Sequence, residues 1–443
     1  MKLAWFTPFS RSSAIARCSL GIVAELAKIA EVDLCHFEAG QSRESSVPVK
    51  RFRTASDVDE QTLSKYDVVV YNFGNHLPFH REIFLLSRRH PGICILHDFV
   101  MHHFFAEYYF SELHNPEAYA LLIERVYGDD GRAAAEQSLP GGKRMWESDA
   151  VARFPLFEEV IRGALGVVTH SEFFRKRVED VFPGPVRRIP LAYDAEPTVP
   201  VLSRRLLNVE ENELLIVTIG HVNPNKQVIA VIDALGCLGP IAQRVKYVVL
   251  GPCSPEHKRL LEAAIGRMHL EPVVQLLGQV SDETLRSYLS HADVCVNLRY
   301  PAFEGASASV IEEMLFGKPV IVTDTGFFAE LPDECVLKVR PDRGSELTAA
   351  LERAITDPGF RERLGKAAER FARREFRADH YAKEIVDFAW EARTAKPLLG
   401  LADQVAIEFN RMGIASDMAI VDNLAQEMRS TFCSMPGSGP SWR

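Results

Sequence analysis

Asp293-Val294-Cys295-Val296-Asn297 is a short apolar run, and a few residues later the chain continues Tyr300-Pro301-Ala302-Phe303-Glu304-Gly305-Ala306-Ser307-Ala308-Ser309-Val310-Ile311-Glu312-Glu313-Met314. The run reads as a buried strand and the continuation as a loop that feeds a helix beginning near Ser307. Glu304 then lies in the loop, Glu312 projects from the second turn, and the amides of residues 307 to 310 have no helical acceptor. A helix start of this kind holds an anion, while each carboxylate accepts hydrogen bonds from hydroxyl groups. One element could therefore grip a ligand that carries phosphate and hydroxyls together.

Working outward, the same alternation of short apolar runs and helical spacing fills most of the chain. Downstream of residue 210 the runs are Leu214 to Ile219, Val245 to Leu250, Val273 to Leu277, Val294 to Asn297, Val320 to Thr323 and Val336 to Val339. Upstream they are Leu3 to Phe6, Val32 to Phe37, Val68 to Asn72, Ile93 to His97 and Val167 to His170. Continuous apolar strands between helices predict parallel sheets covered on both faces, hence two doubly wound α/β domains facing one cleft. The expected division is a domain over 1–192 with a helical insertion at about 101–162, a linker over 193–212 marked by Pro197 and Pro200, and a domain over 213–375. A helix over 376–396 is expected to return to the first domain. A tail over 397–443 reads as two short amphipathic helices, about Leu401 to Met412 and Ser416 to Phe432, without evident chemistry. The aromatic run Phe104, Phe105, Tyr108, Tyr109 and Phe110 in the insertion reads as core packing ahead of an apolar acceptor surface.

The 443 residues are 47% hydrophobic and 25% charged, with a net charge of -9. That balance fits a soluble globular protein and argues against nucleic acid as the partner. Eight cysteines show no paired spacing, and several sit in apolar runs, as buried reduced thiols do. No run reaches the ~20 apolar residues of a membrane span. The expected location is the cytoplasm, with peripheral contact at the inner membrane face permitted by Arg88-Arg89, Arg187-Arg188 and Arg204-Arg205.

Two common phosphate-binding fingerprints are absent. Thr7 to Ala14, after the first strand, is no G-x-G-x-x-G, and Gly317-Lys318 has Glu312 where a Walker loop needs glycine. Instead, Gly220-His221-Val222-Asn223-Pro224-Asn225-Lys226 follows a strand at the expected ligand end of the second domain. Lys226 there can meet a diphosphate as a point charge. Histidines 97, 102 and 103 fit no common zinc spacing, His76 and His80 read as a helix start, and Asp57-Val58-Asp59 is read as a polar loop, so no metal is expected. Glu313 points about 100° away from Glu312 and reads as structural or solvated.

Taken together, Gly220 with Lys226, Val248-Val249-Leu250-Gly251, Leu276-Leu277-Gly278-Gln279-Val280 and Glu304-Gly305 through Glu312 to Val320 resemble the family-four retaining glycosyltransferases of GT-B architecture, the glycosyl transferases of group 1. Residues 1–192 resemble the acceptor half more loosely, through Leu96-His97-Asp98 and Thr169-His170-Ser171-Glu172. The resemblance implies a hexosyl transfer from a nucleoside diphosphate sugar to an acceptor hydroxyl with retention of configuration, in polysaccharide or glycolipid assembly. It implies catalytic Glu304, Lys226 and His97. It implies a donor site of Gly220, His221, Lys226, Gly278, Val280, Glu304, Gly305, Ala306, Ser307, Ala308, Ser309 and Glu312, with Glu304 on the sugar, Glu312 on the ribose and Lys226 on the diphosphate. Thr325-Gly326 with Glu330 would border the same pocket. Ser12, Ser13, His76 and Asp98 would face a saccharide or lipid-linked saccharide acceptor. No cofactor or metal is implied. Three departures stand out: His221 where the family often has arginine, Ser12-Ser13-Ala14 where it has a glycine pair, and Glu304-Gly305-Ala306-Ser307 in place of Glu-Gly-Phe-Gly. A GT-B phosphorylase or epimerase, or a non-catalytic nucleotide-sugar-binding subunit, are the alternatives on the same scaffold.

Overall fold

The computed structural model describes residues 1–40, 44–138, 144–194, 202–414 and parts of 418–427. Two parallel sheets organise it, as the apolar runs predict. The first contains β1 (Lys2–Phe6), β2 (Glu31–His36), β3 (Val49–Arg51), β4 (Val68–Phe73), β5 (Ile93–Leu96), β6 (Gly166–Thr169) and β7 (Val186–Arg188), in the order β3-β2-β1-β4-β5-β6-β7. The second contains β8 (Leu214–Ile219), β9 (Val245–Leu250), β10 (Val274–Gly278), β11 (Val294–Asn297), β12 (Val320–Thr323) and β13 (Leu337–Val339), in the order β10-β9-β8-β11-β12-β13. Every residue of β4 and of β11 is buried, the expected state of central strands sandwiched between helix layers.

Each sheet reverses its winding once, between β1 and β4 in the first and between β8 and β11 in the second. At such a switch point the connections leave in opposite directions and open a crevice above the carboxyl ends of the strands. Residues 12–13, 74–76 and 97–98 follow β1, β4 and β5, whereas residues 220–226 and 298–307 follow β8 and β11. The two crevices thereby supply most of the residues singled out above.

The long helix Ala378–Arg411 ties the chain end to the first sheet. Tyr381, Ala382, Ile385, Phe388, Ala389 and Ala392 recur at helical spacing and pack with Leu3, Trp5, Ile22 and Val23 in one core. A Cβ on Gly166 would come within 2.8 Å of the Phe388 ring, so β6 accepts this helix only with glycine there. The helix passes through Pro397 without ending, so the short helix expected to start at Leu401 is its continuation. The second expected tail helix, Ser416 to Phe432, falls mostly outside the described residues, as do Pro197, Pro200 and Cys433. In the insertion Phe104 and Phe105 are buried, and Tyr108, Tyr109 and Phe110 pack partly buried against the same core. None of the described cysteines is in a disulfide, and Cys237 is exposed rather than buried. Among the described residues no helix is long and apolar enough to cross a membrane.

Candidate active site

Glycine shapes the floor of the second crevice. Gly220, Gly251 and Gly278 stand side by side at the ends of β8, β9 and β10, where Gly220 N–H donates to the Leu250 carbonyl (2.9 Å) and Gly251 N–H to the Gly278 carbonyl (2.8 Å). All three have positive φ, and a Cβ on Gly251 would lie 2.0 Å from the Gly220 carbonyl oxygen. The result is a bare backbone ledge, of the sort against which a planar ring or a phosphate can lie.

Lys226 sits beneath that ledge. It is 1% exposed, its Nζ donates to the Ile219 carbonyl, and a Cβ on Gly220 would be 3.1 Å from the ammonium. Burial first, and then the charge of Arg299, push the ammonium well below its ordinary pKa, against the pull of Glu313 and Glu304. His221 is exposed on the turn above.

The helix Ala308–Leu315 starts at Ser307, whose side chain makes no cap; its hydroxyl is 3.1 Å from that of Ser309. Asn297, at the end of β11, donates to Ser309 Oγ (2.9 Å) and to both Glu313 oxygens (3.0 and 3.1 Å). Glu313 is fully buried rather than solvated, and burial raises its carboxyl above the usual range, opposed by Lys226 and the Asn297 bond. Of the two settings read for Glu313, structural or solvated, the structure has the structural one, since a helix position 100° from Glu312 still faces the protein when the helix lies over a sheet.

Glu304 crosses the cleft. It pairs with Asp98 as an isolated antiparallel bridge, and the Phe303 carbonyl accepts from the amides of Phe99 (2.7 Å) and Val100 (3.1 Å) while Gly305 N–H donates to the His97 carbonyl (2.8 Å). Gly305 allows this approach, since a Cβ would stand 3.1 Å from the His97 oxygen. The Glu304 carboxylate itself accepts from Arg299 Nε at 2.8 Å.

Beside this bridge lies a cavity of about 270 Å³ whose wall includes Ser12, Ser13, His76, His97, Asp98, Glu304, Ala306 and Ala308. Four acceptor-side candidates, three donor-side candidates and His97 therefore meet in one space. Asp98 accepts from Asn75 N–H (2.9 Å), and burial, reinforced by Glu304, pushes its carboxyl up to about 7. His97 Nδ1 is 3.2 Å from His170 Nε2, and His170 Nδ1–H donates to the Ile189 carbonyl (2.9 Å). Burial lowers the pKa of both rings, and His97 Nε2 lies 3.1 Å from the Asn72 side-chain oxygen. Ser13 spends its hydroxyl on the first helix, accepting from Ala16 N–H (3.2 Å), whereas Ser12 is exposed.

Two acids differ from their expected setting. Glu312 accepts from Tyr193 Oη (2.9 Å) and Arg17 Nη2 (3.4 Å), so a residue expected at the ribose here links the helix Ala14–Leu26 to the second domain. Glu330, expected beside the donor pocket, accepts from the amides of Glu172 (2.8 Å) and Phe173 (2.6 Å), capping a first-domain helix. Arg17, Tyr193, Asn297 and Arg299 were not given site roles from sequence; Asn297 and Arg299 lie at a strand end that could have signalled them, whereas Arg17 sits within the helix Ala14–Leu26. Asp57 accepts from Arg53 and Thr54 amides (3.1 Å each), Asp59 from Thr62 N–H (2.7 Å), and His102 contacts the Phe154 carbonyl (2.6 Å) and the Tyr119 hydroxyl (2.7 Å).

Two facing Rossmann-like domains, with the glycine ledge on the second and a cavity toward the first, make up a GT-B architecture. Residues 202–371 match the family of glycosyl transferases group 1. The chain is 25% identical over 236 residues to the uncharacterized glycosyltransferase MJ1607 of Methanocaldococcus jannaschii, covering 50% of this chain and 58% of that protein. It is 33% identical over 129 residues to the MMP alpha-(1->4)-mannosyltransferase of Mycolicibacterium hassiacum, covering 28% of this chain and 31% of that protein. The matches thus span little more than half the length of one relative and about a third of the other. The fold is similar to that of Anabaena HepE, solved in complex with UDP and glucose, with a TM-score of 0.62, 18% identity, and coverage of 88% of this chain and 99% of that chain.

Proposed function

We propose that this protein transfers a hexosyl unit from a nucleoside diphosphate sugar to an acceptor hydroxyl, with retention of configuration. The observation that carries the reading is the meeting of Glu304 with His97 and Asp98 across the cleft, beside the glycine ledge and Lys226. In this reading the base lies against Gly278 and Val280, the diphosphate spans Gly220 and the start of the helix Ala308–Leu315, and the sugar lies between Glu304 and His97. Glu312 takes the ribose hydroxyls by exchanging Tyr193 and Arg17 for them.

In the reaction the bond from the anomeric carbon to the distal phosphate oxygen breaks, and a bond from that carbon to the acceptor oxygen forms on the same face. The acceptor proton passes to the leaving phosphate. Negative charge grows on that phosphate in the transition state, where helix-start amides and Lys226 stabilise it more than they do the ground state. These groups take the place of a divalent ion. The acceptor, a saccharide or lipid-linked saccharide in polysaccharide or glycolipid assembly, enters through the cavity that Ser12, His76 and Asp98 border. A relative named as a mannosyltransferase and a similar fold solved with UDP and glucose support the donor class. The test is nucleoside diphosphate release from a panel of UDP-, GDP- and ADP-sugars with EDTA present and candidate saccharide acceptors added. Selective release is expected from one base class, and donor binding with no turnover on any acceptor would favour a non-catalytic subunit.

A further inference from the structure

The loop after β11 opens with Arg299, a residue outside every motif considered so far. Its amide donates to Thr323 Oγ1 (3.0 Å), Nη1 to the Leu298 carbonyl (2.8 Å) and Nε to Glu304 Oε1 (2.8 Å), and the residue is 9% exposed. The same loop is stitched to the turn that carries Lys226. Tyr300 N–H donates to the Asn225 carbonyl (2.8 Å), the Asn225 side-chain amide to the Pro301 carbonyl (3.4 Å), and the Gln227 side-chain amide to the Tyr300 carbonyl (3.4 Å). Two cations thus enter one buried region from two different loops. Each acts on the other electrostatically, and Glu304 and Glu313 are the carboxylates within the same reach.

Sugar hydroxyls that donate to Glu304 would share with Arg299 the carboxylate that the guanidinium contacts. When Glu304 turns to hydroxyls, the guanidinium needs another anion, because an unpaired buried charge is costly. We propose that Arg299 is a second cation of the donor diphosphate site, exchanging its Glu304 partner for an oxygen of the phosphate next to the sugar. The inference rests on the donor reading above. Glu304 marks the sugar end of the site and Lys226 its inner side, so the arginine between them lies at the distal phosphate, and its planar fork suits phosphate geometry. It would supply the charge that the turn carrying exposed His221 does not.

The competing role is purely structural, with Arg299 only holding Glu304 in place. Calorimetric titration of the full chain with UDP, GDP and ADP, each beside its monophosphate, separates the two. Native protein is expected to bind one diphosphate more tightly than its monophosphate. R299Q should weaken that diphosphate about 10- to 100-fold and the monophosphate far less. The same differential loss should persist when R299Q is added to E304Q. An equal loss for both nucleotides, or an effect that vanishes in the E304Q background, would overturn the proposal and leave Arg299 as a support for Glu304. If R299Q does not fold, R299K is measured instead: a loss confined to the diphosphate supports the proposal, and a uniform loss or none overturns it. Native protein that binds none of the nucleotides would discard the donor reading itself, and this inference with it.

Discussion

Replacing Lys226 by methionine separates the binding of the donor from the stability of the site beneath it. Lys226 is 1% exposed and lies within electrostatic reach of Glu313, which is fully buried. Whether a proton sits on the amine or on the carboxyl, which burial raises to about 8, the pair binds one proton between pH 6 and 8, as the two separate groups do in the unfolded chain. The native pair therefore adds no pH dependence to stability in that window. In Lys226→Met the lone Glu313 carboxyl, raised by burial, keeps its proton when folded and loses it when unfolded. A raised folded pKa means that stability is present at low pH and is lost as pH rises, by about 1.4 kcal/mol per pH unit until the carboxyl ionises. Thermal unfolding at pH 6 and pH 8 should show the variant close to native at the lower pH and well below it at the higher. Adding Glu313→Gln should remove the difference. Donor affinity, measured by calorimetry at pH 6 where the fold is intact, should fall by the ~1.5–3 kcal/mol of a charge-assisted bond, or about 10- to 150-fold. A variant that binds the diphosphate as tightly as native protein, or whose midpoint parallels the native one from pH 6 to 8, would refute the reasoning.

Glu312→Gln should weaken donor binding about 10-fold or more through the lost ribose contact, and lower stability by about 1–2 kcal/mol through the Tyr193 and Arg17 bonds; calorimetry and chemical denaturation measure the two separately. Glu330→Ala removes the acceptor for two amides at the start of the helix Glu172–Glu179 and should cost about 1–2 kcal/mol in urea unfolding while leaving nucleotide affinity within twofold. Acid should destabilise the protein through its buried histidines: burial holds His80 at about 3 and His102 and His170 at about 4, so their contribution is complete above pH ~6.5 and is lost as pH falls toward 4. Asp98 and Glu313, whose carboxyls are raised, act in the opposite sense over part of that window. The melting temperature should still drop from pH 6.5 to 4, and His170→Gln should flatten the curve; a native profile that rises toward pH 4 would contradict the assignment.

In the second sheet β8, β9, β11 and β12 were legible because each is a mostly buried run of branched apolar residues, while the half-buried β10 and β13 stood out through Val273, Val274, Leu276 and Leu277 and through Val336, Leu337 and Val339. The edge strands β3 and β7 were not, since Val49–Arg51 and Val186–Arg188 are three residues long, follow Pro48 and Pro185, and carry more charge than apolar surface. The long final helix was broken at Pro397 in the sequence reading because proline removes one internal hydrogen bond, yet the helix runs on to Arg411. Of the candidate site, the glycine turn, the helix start at Ser307 and the position of Glu304 follow from local pattern. What could not be read was the partner of each acid. Arg17 and Tyr193 reach Glu312 from 295 and 119 residues away, and Glu330 finds Glu172 across 158, distances over which no local pattern carries information. Arg299 was adjacent to the motif but had no spacing of its own to mark it.

The central claim is that Glu304 meets a nucleotide sugar in the cleft. The most direct measurement is release of nucleoside diphosphate from the UDP-, GDP- and ADP-sugar panel, without added metal and with EDTA, comparing native protein with Glu304→Ala of matched fold and melting behaviour. The account predicts selective release by the native protein that falls at least 100-fold in the variant. Equal release by a folded Glu304→Ala protein would contradict it.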